Sequence, residues 1–306
     1  MKKHAYLIIA NNKYDQLSFL IGLLDNVRND FYIMIDRKSD FSEKDKRKIV
    51  LLAQESKVKF VDRVSIFWGT YTQVEAELLL FEEAYKSATN YSYYHLFSGV
   101  DLPLVPTEKI LAFFDDHPGR VFLTNAKNSN DVRARVKYKY RWLKYTQKSG
   151  YSKLTSTFYG MLRKVDLAFQ KILRVDYCKD LQLGYASNWV SLDDDTVKLL
   201  LNNKAWVHDT FQYSVLCDEL FIPTLLNKYP EYRKKVYYTR PVIDDPEEFQ
   251  GNLRYINWWD GSPYTWTDND ISKLEKGIEL GHLFSRKFNL ANSPKLKAFI
   301  EEITTD

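Results

Sequence analysis

Strand-like and helix-like stretches alternate through the first 125 residues, and no other feature restricts the fold of this chain as strongly. Residues 4–10 form a largely apolar run of strand length. Leu17, Leu20, Ile21, Leu24 and Val27 then recur at helical spacing. Residues 31–35 read as a second strand, followed by Asp36-Arg37-Lys38-Ser39, and a charged helix is expected over 41–56. A short strand at 58–61, a helix at 72–87, a strand at 93–97, a helix at 107–116 and a strand at 120–124 continue the series, with His117-Pro118-Gly119 as a helix stop. This order predicts an α/β fold built on a mainly parallel sheet covered by helices.

Ligands of such sheets bind at the carboxyl ends of the strands. Here those ends carry Asn11-Asn12, Asp36-Arg37-Lys38 and Ser98-Gly99-Val100-Asp101. No GxGxxG follows the first strand and the chain has no P-loop, which argues against a dinucleotide oxidoreductase and a P-loop kinase. No apolar run approaches the roughly 18 residues of a membrane span, and the amino terminus leads into a strand rather than a cleavable apolar leader. Cys178 and Cys217 have neither metal-ligand nor disulfide-framework spacing, and the five histidines are scattered. A cytoplasmic protein without a leader, an anchor or a metal centre is the expectation. The 22 Tyr, 18 Phe and 7 Trp suit either sugar rings stacked on aromatic faces or a tyrosine-rich core.

Residues 126–180 break the alternation. Thirteen Lys or Arg against Asp131 and Asp166 give residues 126–174 a net charge of +11; the whole chain carries +4, so the remainder carries −7. A basic element on a mildly acidic body points to an anionic partner, and the acidic remainder argues against nucleic acid. Within this insert Arg133, Arg135, Lys137, Lys139 and Arg141 alternate with Ala134, Val136, Tyr138, Tyr140 and Trp142. Residues 154–173 follow with helical periodicity, Leu154, Phe158, Leu162, Val165, Phe169 and Ile172 sharing one stripe. The stripe either packs on the protein's own core or lies peripherally on an anionic surface such as the inner face of the cell membrane.

Chemistry is expected where Asp218-Glu219 interrupt the mostly apolar residues 211–226. Burying a carboxylate among apolar groups raises its pKa toward that of a useful base. Pro223 fits the first turn of a helix beginning near 218–220, so the pair equally suits a helix N-terminus. Trp258-Trp259 ahead of Asp260-Gly261-Ser262-Pro263 read as an aromatic wall and a turn, or as packing tryptophans. Arg286-Lys287 offer two cations to a diphosphate leaving group, or form a solvated face. Asp193-Asp194-Asp195 contain the DxD used by metal-dependent transferases, but their place between a strand-like stretch at 189–192 and a helix at 196–201 favours N-capping.

Several ordered stretches resemble one known family. They are His4-Ala5-Tyr6-Leu7-Ile8 leading to Asp36-Arg37-Lys38-Ser39, Trp68-Gly69 before a helix, Ser98-Gly99-Val100-Asp101-Leu102-Pro103-Leu104, Asp218-Glu219, Arg254-Tyr255-Ile256-Asn257-Trp258 and Leu283-Phe284-Ser285-Arg286-Lys287-Phe288. Their order and spacing resemble the core-2/I-branching β-1,6-N-acetylglucosaminyltransferases, a family that includes peptide O-xylosyltransferases. The resemblance runs from about residue 4 to residue 288. It implies a GT-A-like, Rossmann-type fold, a UDP-sugar donor, inversion at the anomeric carbon and no need for a divalent metal, basic residues standing in for the ion. By position, Glu219 matches the family's catalytic base, and Asp36 the residue that meets the uridine. Lys287, with Arg286, matches the cation on the diphosphate; Trp258, with Asp218 and Trp259 nearby, matches the acceptor or sugar pocket. Asp101 and Arg254 sit in matching motifs, expected near the donor and the acceptor respectively. The chain departs from the family at Leu216-Cys217, where Ser-Pro is frequent, and it lacks the cysteine-rich disulfides and membrane anchor of the animal enzymes. A soluble, bacterial-type member is therefore expected.

The expected organisation is one domain over residues 1–290, with a nucleotide-sugar-binding half at 1–125, the basic helical insert at 126–180 and a catalytic and acceptor half at 181–290, followed by a C-terminal helix at 291–306. The expected reaction moves a sugar, GlcNAc first and Glc, Gal or Xyl as alternatives, from a UDP-sugar to a glycan or lipid-linked glycan hydroxyl. The product would belong to a surface polysaccharide or a glycoprotein glycan. Two other readings stand beside it: a non-catalytic carbohydrate-binding or membrane-surface scaffold protein, and a metal-dependent transferase using Asp193 and Asp195.

Overall fold

The structure is a computed structural model and describes residues 2–127, 129–146, 151–261 and 264–305. In its first part the chain runs β1 (Lys3–Ala10), α1 (Tyr14–Leu24), β2 (Asn29–Ile35), α2 (Glu43–Leu51), β3 (Lys57–Phe60), α3 (Thr72–Tyr85), β4 (Tyr91–Ser98), β5 (Leu102–Pro103) and α4 (Thr107–Asp116). The insert holds α5 (Asn130–Lys137) and α6 (Lys153–Ile172). Then follow β6 (Ser191–Asp193), α7 (Asp194–Asn202), α8 (Lys204–Phe211), a 3-10 turn (Cys217–Glu219), α9 (Phe221–Lys228), α10 (Pro230–Arg233), β7 (Arg254–Ile256), α11 (Ile271–Glu279), β8 (Phe284–Arg286) and α12 (Pro294–Thr304).

The central sheet has the order β3-β2-β1-β4-β6, parallel except for β6. This is the α/β arrangement on a mainly parallel sheet expected from the sequence. Strand order reverses between β1 and β4, so the ligand crevice of such a sheet lies outside Ala10 and Ser98. A second sheet, β5-β8-β7, stands beside it. Successive side chains of β1 enter opposite cores. Ala5 and Leu7 pack with Met34, Leu80 and Leu225, whereas Tyr6 and Ile8 pack with Phe31, Leu20 and Leu296. Burial on both faces is why β1 reads as an apolar run rather than an alternation. The C-terminal helix is part of this second core through Leu296 and Ile300.

Three expectations change. Residues 120–124 form no strand: Phe122 makes one two-bond pair with Ser191, and Val121 a single bridge to Val236. With β6 only three residues long, there is no edge against which a longer ladder could form. The charged helix is shorter than expected, because a capping box between Ser42 and Asp45 starts it late and Leu52 ends it. The charge alternation over 133–142 is helix through Lys137 and irregular chain beyond, and in α6 Leu162 is half-buried while Met161 joins the stripe. Among the described residues no helix is long and apolar enough to cross a membrane.

Candidate active site

A cleft of about 740 Å³ opens between the 3-10 turn, the insert and the end of β8. Its walls include Trp68, Arg135, Glu219, Trp258, Arg286 and Lys287. Local backbone chemistry places the turn. Gly69 adopts φ 73° before α3, and its carbonyl accepts from the Leu216 amide at 3.0 Å. Leu216 is itself left-handed at φ 49°, and Pro223 sits in the first turn of α9, where it forfeits no helical bond. The Glu219 carbonyl accepts from the Ala186 amide at 3.0 Å, which pins the turn to the opposite wall.

The two adjacent carboxylates have different surroundings. Asp218 is buried; Gln73 Nε2 donates to its Oδ2 at 2.9 Å, and among the described residues its Oδ1 has no partner. Burial, and next the Glu219 charge, push its pKa up to about 7. Behind it lies Glu77 of α3, fully buried, whose pKa burial raises well above the usual carboxylate range. Glu219 is half-exposed, and its Oε2 accepts from Arg135 Nη1 at 2.6 Å. Among the described residues Oε1 of Glu219 has no partner, so one oxygen is anchored and the other is available to a hydroxyl.

The cations lie at the other end. Arg286 is buried, pairs with Asp101 at 3.1 Å and lies over the Trp189 ring at 4.0 Å. Asp101, fully buried, accepts from the Ser98 amide at 3.1 Å and the Ser98 hydroxyl at 2.5 Å. Lys287 is half-buried, and among the described residues no carboxylate pairs with its ammonium. Its burial, and then the Arg286 charge, lower its pKa.

The cleft thus collects Asp218, Glu219, Trp258, Arg286 and Lys287, and not the other sequence candidates. Asp36 stands at the end of β2, its Oδ1 accepting from the Lys38 and Ile66 amides at 3.0 and 3.3 Å. Asp101 reaches the cleft only through Arg286. Arg254, expected near the acceptor, is fully buried between the two sheets and donates to the carbonyls of Asn252 (2.7 Å), Leu96 (2.9 Å) and Val190 (3.4 Å). Trp259 packs on Tyr255 instead of lining the cleft. The expected turn at Ser262-Pro263 lies outside the described residues.

Asp193 caps α7, and Lys235 Nζ sits 2.8 Å from both Asp193 Oδ2 and Asp195 Oδ2, outside the cleft. Among the described residues no cluster of three or more His, Cys, Asp or Glu is arranged to hold a metal ion. Sequence reasoning missed Gln73, Glu77 and Trp189 as parts of the site. Arg135 was visible as one of a basic series, but nothing in that series marked it as the residue that meets Glu219.

Known proteins resemble this chain over part or most of its length. A xylosyltransferase, sqv-6 of Caenorhabditis briggsae, is 21% identical over 283 residues, which is 85% of this chain but only 31% of that protein. The crystal structure of apo mouse xyloside xylosyltransferase 1 matches over 93% of this chain and 97% of its own, with a TM-score of 0.43 and 10% identity. Staphylococcus aureus TarS matches over 42% of this chain and 22% of its own, with a TM-score of 0.30 and 16% identity. The model of one family, described as Core-2/I-Branching enzyme, matches residues 4–275, and the chain belongs to that family of glycosyltransferases.

Proposed function

We propose that this protein is an inverting, metal-independent glycosyltransferase that uses a UDP-sugar. The observation that carries the reading is one cleft holding a partly exposed carboxylate, Glu219, and the Lys287 ammonium, which no carboxylate pairs with among the described residues, with Trp68 and Trp258 in its walls. A glycan hydroxyl enters beside Oε1 of Glu219. As its oxygen attacks the anomeric carbon, Glu219 takes the proton and the bond to the diphosphate breaks on the opposite face. Lys287 meets the negative charge that develops on the departing UDP, and Arg286, fixed by Asp101, supports it. Asp36, just past the carboxyl end of β2, is the proposed contact for the base of the nucleotide. GlcNAc is the first donor to test, then Glc, Gal and Xyl; a polysaccharide or glycoprotein glycan, free or lipid-linked, is the acceptor.

Asp218 is the poorer base. It is buried and backed by Glu77, whereas Glu219 keeps an open oxygen. The metal-dependent alternative is disfavoured because Lys235 occupies the space between Asp193 and Asp195, where a cation would have to displace it. A scaffold without catalysis gives no reason for Glu219 and Lys287 to line one cleft.

The test is Glu219→Gln, assayed for transfer and for UDP-sugar binding. Losing a general base lowers the rate by about 10² to 10⁴. Turnover should fall by that factor while binding of the UDP-sugar stays near wild type. Near-normal turnover in the variant rejects Glu219 as the base, and no turnover of any UDP-sugar by the wild type favours the scaffold.

A further inference from the structure

Helix α6 is amphipathic in the reverse sense for a helix packed on a protein. Its polar residues face inward, onto the chain that follows α5. Asp166 pairs with Arg141 at 2.8 Å, and Gln170 exchanges two 2.9 Å hydrogen bonds with the main chain of Lys139. Its apolar residues face outward: Leu154 is 85% exposed, Phe158 58%, Met161 65%, Val165 69%, Phe169 59% and Ile172 76%. Their spacing of three and four residues keeps them on one stripe along the whole helix. A soluble surface does not leave such a stripe open without something to cover it.

We propose that α6 lies flat on an anionic lipid surface. The occupant is indicated by charge. At about 100° per residue, Lys153, Lys164 and Lys171 fall together on one border of the stripe, and all three are exposed. Lysine stems cover apolar surface while their ammonium groups reach toward headgroup phosphates. The surrounding residues 126–174 carry +11 on a chain whose remainder carries −7, so this part of the chain is the one drawn to a negative surface. A stripe of exposed Leu, Phe, Met, Val and Ile bordered by lysine is the pattern of a helix lying in the membrane interface.

The helix is also tied to the cleft. Just before it, Tyr151 stacks on Phe67 at 5.6 Å, next to Trp68 in the cleft wall. Lying on lipid, α6 would hold the mouth of the cleft near the surface, where a lipid-linked glycan presents its hydroxyl. The docking itself does not depend on the proposed transfer reaction and is read without turnover.

The test is co-sedimentation of the full chain with vesicles of phosphatidylcholine alone and of phosphatidylcholine mixed with phosphatidylglycerol, at low and high salt. The wild type should bind the mixed vesicles more strongly, and less so at high salt. The substitutions Lys153→Glu, Lys164→Glu and Lys171→Glu together should weaken that binding, by about fivefold for each lysine removed from the surface. The pair Phe158→Ser and Phe169→Ser should abolish it. All these side chains are exposed, so UDP binding and the unfolding temperature should stay at wild-type values and serve as the folding control. Equal binding to both vesicle types, or to neither, overturns the proposal. So does a dimer in sedimentation equilibrium that the two serines convert to monomer while vesicles are ignored, because the stripe would then be covered by a second copy.

Discussion

Replacing Asp218 with Asn removes a buried ionisable group and leaves an oxygen for Gln73 to donate to. In the folded chain the Asp218 carboxyl titrates near 7, raised first by burial and then by the Glu219 charge, while an unfolded Asp has the ordinary value of 3.8. The folded state therefore holds this proton more tightly than the unfolded state. The stability it confers is complete below about pH 4 and is lost as the pH rises through about 7. The separation of the two values is worth about 4 kcal/mol in all, and about 2.5 kcal/mol of it disappears between pH 5 and pH 8. Asn does not titrate, so Asp218→Asn should gain on the wild type over that interval. At this chain length roughly 2 °C of melting temperature accompanies each kcal/mol, so the gap between variant and wild type should widen by about 5 °C from pH 5 to pH 8 in a calorimeter. Turnover should stay within about tenfold of wild type, unlike that of Glu219→Gln. A gap that is the same at both pH values refutes the buried, proton-holding Asp218. A loss of turnover as deep as that of Glu219→Gln, with folding intact, makes Asp218 the base instead.

Lys287→Ala should weaken UDP binding and slow transfer, because the charge developing on the diphosphate of the proposed donor loses the Lys287 ammonium; transfer by the wild type should persist in EDTA, and a strict need for Mn²⁺ or Mg²⁺ would return attention to Asp193 and Asp195. Arg254→Met should cost about 3 to 5 kcal/mol of stability, because three main-chain carbonyls between the sheets lose a charged donor. Its melting temperature should fall steeply, and an unchanged one would show that the tie between the sheets is dispensable.

The part of the fold legible in the sequence is the part set by local periodicity. Residues 4–10 are buried on both faces of a parallel strand, and such a strand leaves a continuous apolar run. The segment around Phe122 is also mostly apolar but pairs only through isolated bridges, and whether a partner strand extends far enough is not a local property. The stripe on α6 was legible as a helix for the same reason as β1, yet its direction was not. Periodicity states that the apolar residues share a face, not whether that face turns to the core. The contacts of Asp166 with Arg141 and of Gln170 with Lys139 decide it.

The site divides along the same line. Asp218 and Glu219 stood out as charges in an apolar run, and Arg286-Lys287 as an adjacent pair of cations, so both ends of the cleft were visible as departures from local pattern. What joins them was not. Glu77 reads as one acidic residue in an ordinary helix, and its burial behind Asp218 follows from how α3 packs on the 3-10 turn. Arg135 is the sharper case. It lies 84 residues from Glu219 and among many other cations, and its carbonyl accepts from the Val215 amide at 3.0 Å while its guanidinium holds the Glu219 carboxylate at 2.6 Å. Those two contacts tie the insert to the turn that carries the proposed base, so it is not an appendage. The element with the outward apolar stripe and the element that orients the proposed base are therefore consecutive helices of one insert. They are joined through Lys139 and Gln170 by two hydrogen bonds of 2.9 Å, so a contact made by α6 has a short mechanical path to Glu219.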